Sequence, residues 1–432
     1  MYRREESVII GRNRPSMAAM NKIYFENLKV LRFEVVDRSV KRGVTLDTAE
    51  NKDELYPHQM KPILVVMRIF SIFPVELSSE VPRFRLISPI MAYSVCFYAV
   101  TMISTYFNVC NIASALLFKK NNLLFSTVLL SIIISVFMCC YMPLLCWVDI
   151  KGTVQYMKKW MKFQEIFLSV TKQHLTLALR RRCFIYAAIS VLLGTVLSFF
   201  GCYMPGAKFC GFPLYYIFLT LTTCLESYWI IGFNALAIAG CSLAKRFKND
   251  LRQTGPSAKM IEEYRILRLR LSRLVSDAGG VMGKVMIVNV ISFGCLASMS
   301  LYTSLSMDSE ERKIEKIGMG TLAATGILHL YSLCNAASKA TYSVKTMIQE
   351  ELQFIRISSE SDAVGKAVTA FLQTILLNPP IISMLGFADI NRGLFTAYAS
   401  ATVTYLVVLL QFDLGERVDK YDMNIVQNCT GV

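Results

Sequence analysis

The chain has 432 residues, 54% of them hydrophobic, with a net charge of +15 and a mean hydropathy of +0.44. That composition is too apolar for an ordinary soluble domain. The basic residues fall at fixed places between apolar runs rather than in one patch, which excludes nucleic acid as a partner.

In chain order, residues 1–60 mix charges of both signs without periodic apolarity and read as a flexible tail. Residues 61–85 contain an amphipathic lead-in helix, Lys61–Val75, too short to span and interrupted by Arg68. No apolar signal-peptide core stands at the amino terminus, so the first membrane helix is expected to direct its own insertion. Seven apolar stretches follow: Leu86–Tyr106, Leu123–Trp147, Cys183–Tyr203, Leu214–Leu243, Val281–Tyr302, Ile317–Ala337 and Leu394–Phe412. About 20 apolar residues match the hydrocarbon core of a bilayer. Backbone amides in that core must pair within their own segment, and the runs lack the alternation of a barrel strand, so each is a helix.

Thirty-seven Lys and Arg fall in the tail 1–85 and in 148–182, 244–280 and 339–393, against eight in the other four connections. Basic flanks stay cytoplasmic and can meet anionic lipid. The expected fold is an all-α membrane protein with a cytoplasmic amino terminus and an extracellular carboxyl terminus. Residues 86–338 carry helices one to six, 339–393 a cytoplasmic segment, 394–412 helix seven and 413–432 an extracellular tail.

Two cytoplasmic stretches are helical by pattern. Ile261, Tyr264, Leu267, Leu271 and Leu274 recur at helical spacing, with Arg265, Arg268 and Arg273 at the remaining positions. Tyr342, Met347, Leu352 and Ile355 form the second stretch, followed by an apolar helix at Ala367–Leu377. Such faces need an apolar partner. Asn378-Pro379-Pro380 ends that helix. The seventh segment is therefore split in two, with Asn391 and Arg392 in the joint.

The thirteen cysteines lie mostly inside apolar runs as small hydrophobes. Cys202 and Cys210 flank the 3–4 loop, where a disulfide is one option. The three histidines are far apart and no metal-ligand spacing exists, so neither metal nor cofactor is expected. HExxH and GxSxG are absent, and Gly279–Lys284 lacks the Ser or Thr of a phosphate loop, so no enzyme is expected. Asn428-Cys429-Thr430 is a glycosylation sequon on the expected outer tail.

Glu226 is the only acid within any of the seven runs, and an intramembrane carboxylate marks a functional candidate. Ser227, Tyr228 and Trp229 follow it. These four and His329 are the candidate ligand-binding residues. The competing reading pairs Glu226 with hydroxyls of another helix or with His329 to hold the bundle together. If bicarbonate or a proton were the agonist, both residues would titrate.

In the last run, Thr404, Val408 and Phe412 share a face with Tyr405 and Gln411 at its margins. An amide in hydrocarbon is costly, so Gln411 sits at the headgroup level or lines water. Around a symmetry axis, rings of Val408 and Phe412 could close a neck by dewetting and Gln411 could hydrate ions.

This run, Thr404-Tyr405, five aliphatics and Gln411-Phe412, resembles the TYhhhhhQF ending of the insect gustatory receptors. The resemblance extends from about Lys61 to Phe412. It implies a ligand-gated cation channel in the plasma membrane of sensory neurons, a homo- or hetero-tetramer of related subunits. It also implies a pore and gate at Thr404, Tyr405, Val408, Gln411 and Phe412, a cytoplasmic anchor domain, and a small-molecule pocket in the outer half of helices two to six. Leu267–Gly279 and Gly386–Arg392 look similar to the carbon dioxide-sensing branch. Sugar- or bitter-sensing receptors and a co-receptor without a ligand site stay open, with a G-protein-coupled receptor more distant.

Overall fold

In the computed structural model, the described residues are 53–76, 82–116, 123–201, 212–281, 283–307, 313–358 and 362–429. Side chains are not described at 111–116, 123–125, 128, 201, 214, 356–358 and beyond 415. The tail before 53, the Cys202–Cys210 pair and the side chain of Asn428 lie outside what is described.

The helices are α1 (Tyr56–Gln59), α2 (Lys61–Ile69), α3 (Pro89–Leu116), α4 (Leu123–Thr171), α5 (Arg180–Gly201), α6 (Phe212–Thr254), α7 (Ala258–Gly280), α8 (Gly283–Ser306), α9 (Lys313–Ser358), α10 (Asp362–Leu377) and α11 (Arg392–Cys429). A hairpin of β1 (Ser383–Met384) and β2 (Ala388–Asp389) precedes α11. Among the described residues, seven helices are long and apolar enough to cross a membrane: α3, α4, α5, α6, α8, α9 and α11. The expected all-α, seven-pass fold with a divided last segment is therefore what the chain adopts. The last helix begins at Arg392 and runs on to Cys429, past the expected end at Phe412.

Several hydroxyls of the spanning helices are satisfied within their own helix. Thr105 Oγ1 donates to the Thr101 carbonyl (2.8 Å), Ser135 Oγ to Ser131 (2.9 Å) and Thr325 Oγ1 to Thr321 (2.8 Å). This back-bonding lets hydroxyls sit in hydrocarbon without a second helix. The outer helices leave apolar stripes exposed. On α5, Ile185, Ile189, Leu192, Val196 and Phe199 recur along one face, as lipid contact requires.

At the centre stands α6, packed along α9 and α5, with α8 filling the space between α9 and α4. Close approach depends on small residues. A side chain at Gly194 would collide with Thr220, and one at Gly240 would meet Ser343 Oγ at 2.9 Å.

Helices α4, α6 and α9 are 49, 43 and 46 residues long, roughly twice what a bilayer needs. They run parallel in topology, so their surplus emerges at one end, where it joins α7, α10 and the hairpin in a helical layer. Phe247 of α6, Tyr264 of α7 and Phe371 of α10 form its aromatic core, with centroids 5.0 and 6.3 Å apart. Lys159 of α4 pairs with Asp277 of α7 at 2.7 Å.

Residues 53–60, counted with the flexible tail from composition, are part of the folded body. Tyr56 stacks on Trp160 with centroids 4.7 Å apart, and its amide donates to Gln164 Oε1 (2.9 Å). Gln59 Oε1 accepts from the Leu179 amide (2.9 Å). With Met60, Ile63, Leu64 and Met67 also buried, the lead-in helix is a structural wedge against α4, α5 and α6 rather than a surface element.

The arginines of α7, set apart from its apolar positions in the sequence reading, do not share one environment. Arg273 is exposed, but Arg265 and Arg268 are buried. Helix α7 is covered on more than one side, by α10, α4 and α6. Burial pushes the Arg268 guanidinium down to about 10, and its NH groups reach the carbonyls of Val344 (3.4 Å) and Asn378 (3.2 Å).

Candidate functional site

Two places combine polar chemistry with apolar surroundings. The first lies inside the bundle. Glu226 of α6 is 2% exposed. Its Oε1 accepts from Asn289 Nδ2 of α8 (3.1 Å), and its Oε2 stands 2.7 Å from His329 Nδ1 of α9. The structure thus brings two sequence-predicted residues together from different helices. A carboxylate removed from water needs such donors, since its desolvation costs several kcal/mol in real proteins. The two atoms stand at ion-pair distance but off the line of a hydrogen bond, and a hydrogen on Nδ1 keeps a nitrogen lone pair from facing the carboxylate oxygen.

The other three candidates do not join this cluster. Successive helix residues point about 100° apart, so Glu226 to Trp229 fan around α6. All four are buried because α6 is central. Ser227 Oγ meets Ser190 Oγ of α5 at 3.1 Å. Tyr228 and Trp229 fill other gaps in the core, and Trp229 Nε1 has no partner among the described residues.

Asn289 is a cluster member that the pattern did not single out. The available signal was a lone amide in the apolar run Val285–Ile291, the same reasoning that marked Glu226. It lies about 9 Å along α8 from Gly283, counted at 1.5 Å per residue. The cluster is therefore nearer the end that carries α7 than the opposite end, where the pocket was expected. At that opposite end a small cleft opens between α3, α4 and α6, with Asn108, Ser135 and Tyr215 beside Ile132 and Phe218.

The second place is α11. Its start is fixed tightly. Asn391 Oδ1 caps the helix by accepting from the Leu394 amide (3.0 Å). Arg392 donates from Nη2 to Asn335 Oδ1 (2.9 Å) and from its amide to Ser338 Oγ (3.0 Å). Tyr331 and Phe395 meet edge-on at 5.3 Å. Farther along, Tyr398 OH donates to the Gly294 carbonyl of α8 (3.0 Å), and Thr402 Oγ1 is 3.3 Å from Ser298 Oγ. Beyond Thr402 the helix leans on its neighbours with one face only. Leu406, Leu409, Leu410 and Asp413 are partly covered, while Thr404, Tyr405, Val408, Gln411 and Phe412 are exposed. At 100° per residue those five fall within about 120° of one another, opposite the covered face. The sequence-predicted gate residues thus share one free face.

The profile of the 7tm chemosensory receptor family matches residues 60–416. Gustatory and odorant receptor 24 of Anopheles gambiae is 28% identical over 82% of this chain and 78% of its own. Gustatory and odorant receptor 22 of the same mosquito is 25% identical over 87% and 82%. Gustatory and odorant receptor 21a of Drosophila melanogaster is 32% identical, over 47% and 45%. In three dimensions the chain resembles the insect olfactory receptor OR5 from Machilis hrabei, with a TM-score of 0.60 at 12% identity, covering 82% of this chain and 97% of that one. The same receptor in complex with eugenol superposes at 0.55 and 12% identity, over 84% and 100%. At that identity the likeness is one of fold. The chain belongs to the 7tm chemosensory receptor family of insects, a family of receptors and not of enzymes.

Proposed function

We propose that this protein is a subunit of a ligand-gated cation channel in the plasma membrane of a sensory neuron. Four copies surround one axis lined by α11. The amino terminus and the layer of α7, α10 and the hairpin are cytoplasmic, and the carboxyl terminus is extracellular. The observation that carries this reading is the one-sided packing of α11. Its free face holds Thr404, Tyr405, Val408, Gln411 and Phe412, and an amide on such a face is poorly suited to lipid. Copies around an axis would shelter that face, with Val408 and Phe412 as the constriction and Gln411 as the hydrating ring.

The relatives' names, gustatory and odorant receptors, support a chemical stimulus. Carbon dioxide or bicarbonate is the lead ligand, on the resemblance of Leu267–Gly279 and Gly386–Arg392 to the carbon dioxide-sensing branch. These runs build α7 and the hairpin joint, not a pocket, so they bear on branch membership and not on ligand contact. A ligand acts by binding the open arrangement better than the closed one.

Recording from cells that express this chain, alone and with related subunits, tests the reading. Carbon dioxide or bicarbonate should evoke a cation current that sugars and bitter compounds do not. Surface-expressed protein that carries no current under any stimulus or subunit combination would contradict the channel assignment.

A further inference from the structure

The buried cluster does more than tie three helices. We propose that Glu226, Asn289 and His329 form a proton-binding site whose occupancy is transmitted by α8 to the pore helix α11. This rests on the channel reading above and deepens it by naming a second ligand, the proton.

The geometry separates one charged pair from everything else. Among the described residues, Glu226 is the acid within ion-pair distance of His329, at 2.7 Å. Several ionisable groups on neighbouring elements are engaged elsewhere. On α8, Lys284 pairs with Asp149 of α4 (3.6 Å). On α7, Asp277 pairs with Lys159. Arg68, at the end of α2, donates to the Val75 carbonyl, and Arg392 of α11 donates to Asn335. Helix α3 carries no charged residue. Of the titratable groups within a few residues of the pair along the chain, α6 carries Cys224 and Tyr228 and α9 carries Cys334, all uncharged near neutral pH.

With its hydrogen on Nδ1, 2.7 Å from Glu226 Oε2, neutral His329 keeps Nε2 as the open basic site. A proton arriving from water adds there and forms an Nε2–H bond, leaving the Nδ1 hydrogen in place. The pair then passes from a net charge of −1 to zero, with no other reactant. The imidazole is one-sixth exposed and the carboxylate sealed, so the imidazole is the more accessible partner of the pair.

The charge change is felt along α8. Asn289 donates to the same carboxylate that loses its excess charge, and a hydrogen bond to an uncompensated carboxylate is stronger than one to a neutralised pair. The same helix supplies Gly294 and Ser298, on which Tyr398 and Thr402 of α11 rest. There is no slack at the first contact: a side-chain carbon on Gly294 would stand 2.9 Å from Tyr398 Cε2. A shift of α8 relative to α6 must therefore move α11.

Two measurements test this. The chain has three histidines, so protein labelled with nitrogen-15 histidine gives few imidazole signals, and loss of one in His329→Gln identifies His329. Its titration midpoint in the wild type should move by about one pH unit or more in Glu226→Gln. A midpoint that stays put overturns the site. In cells, the wild-type current should change about fivefold or more between pH 5 and 8, and both Glu226→Gln and His329→Gln should flatten that dependence while still conducting. Conducting variants with wild-type pH dependence overturn the coupling. If no form conducts, the channel assignment fails, and the titration still decides the proton site by itself.

Discussion

The guanidinium of Arg268 donates at 3.2 Å to the carbonyl of Asn378, the last residue before Pro379 and Pro380. Ser272 Oγ donates to the same oxygen at 3.0 Å. Two prolines offer no amide hydrogens, so the end of α10 depends on side chains of α7 for its partners. The cation also sits at the negative end of the α10 dipole. This contact fixes where the hairpin, and after it α11, begins.

Arg268→Met should therefore destabilise the purified protein by about 1–3 kcal/mol, because the Val344 carbonyl loses its side-chain donor and Asn378 retains only Ser272. Thermal unfolding in detergent measures this. Arg268→Lys should recover part of the loss, since a single ammonium cannot reach two carbonyls as a fork does.

Alkaline pH tests the same layer. Burial and the Asp250 carboxylate, whose Oδ2 accepts from Tyr264 OH at 2.5 Å, push the Tyr264 phenol up from its ordinary value of 10.0. Above pH 10 the unfolded chain gives up this proton while the folded chain keeps it. The unfolded state then binds fewer protons, so stability falls as pH rises. Tyr264→Phe should lessen the steepness of that fall, at a cost of about 1 kcal/mol near neutrality from the lost hydrogen bond. A denaturation series above pH 10 gives both numbers.

Gly294→Val should change basal gating without abolishing surface expression, because the new side chain must displace the Tyr398 ring that rests there. Tyr398→Phe removes only the hydroxyl bond to the Gly294 carbonyl and should have a smaller effect in the same current recordings.

The parts of the fold legible in the sequence were those governed by a bilayer. Runs such as Leu123–Trp147 reveal a spanning helix because hydrocarbon permits little else. The proline pair marked the division of the last segment for an equally local reason. What stayed hidden depended on neighbours. Arg268, four residues after Tyr264 and three before Leu271, lies on the apolar face of α7 by helical spacing, and only the second layer of helices shows the carbonyls that receive it there. Tyr56 carries no local sign that Trp160, more than a hundred residues away, will stack on it. Within the site, Glu226 and His329 were each visible as costly residues in apolar runs. Which of the adjacent polar residues would share their cavity was set by helix rotation, and Asn289 entered from a third helix.

The most direct test of the account is cysteine accessibility on α11. Cysteine placed at Val408 or Gln411 should react with a charged, membrane-impermeant thiol reagent and alter the current, while cysteine at Leu410, on the covered side, should not. Modification at Leu410 with none at Gln411 would show that the free face of α11 does not line the conducting path.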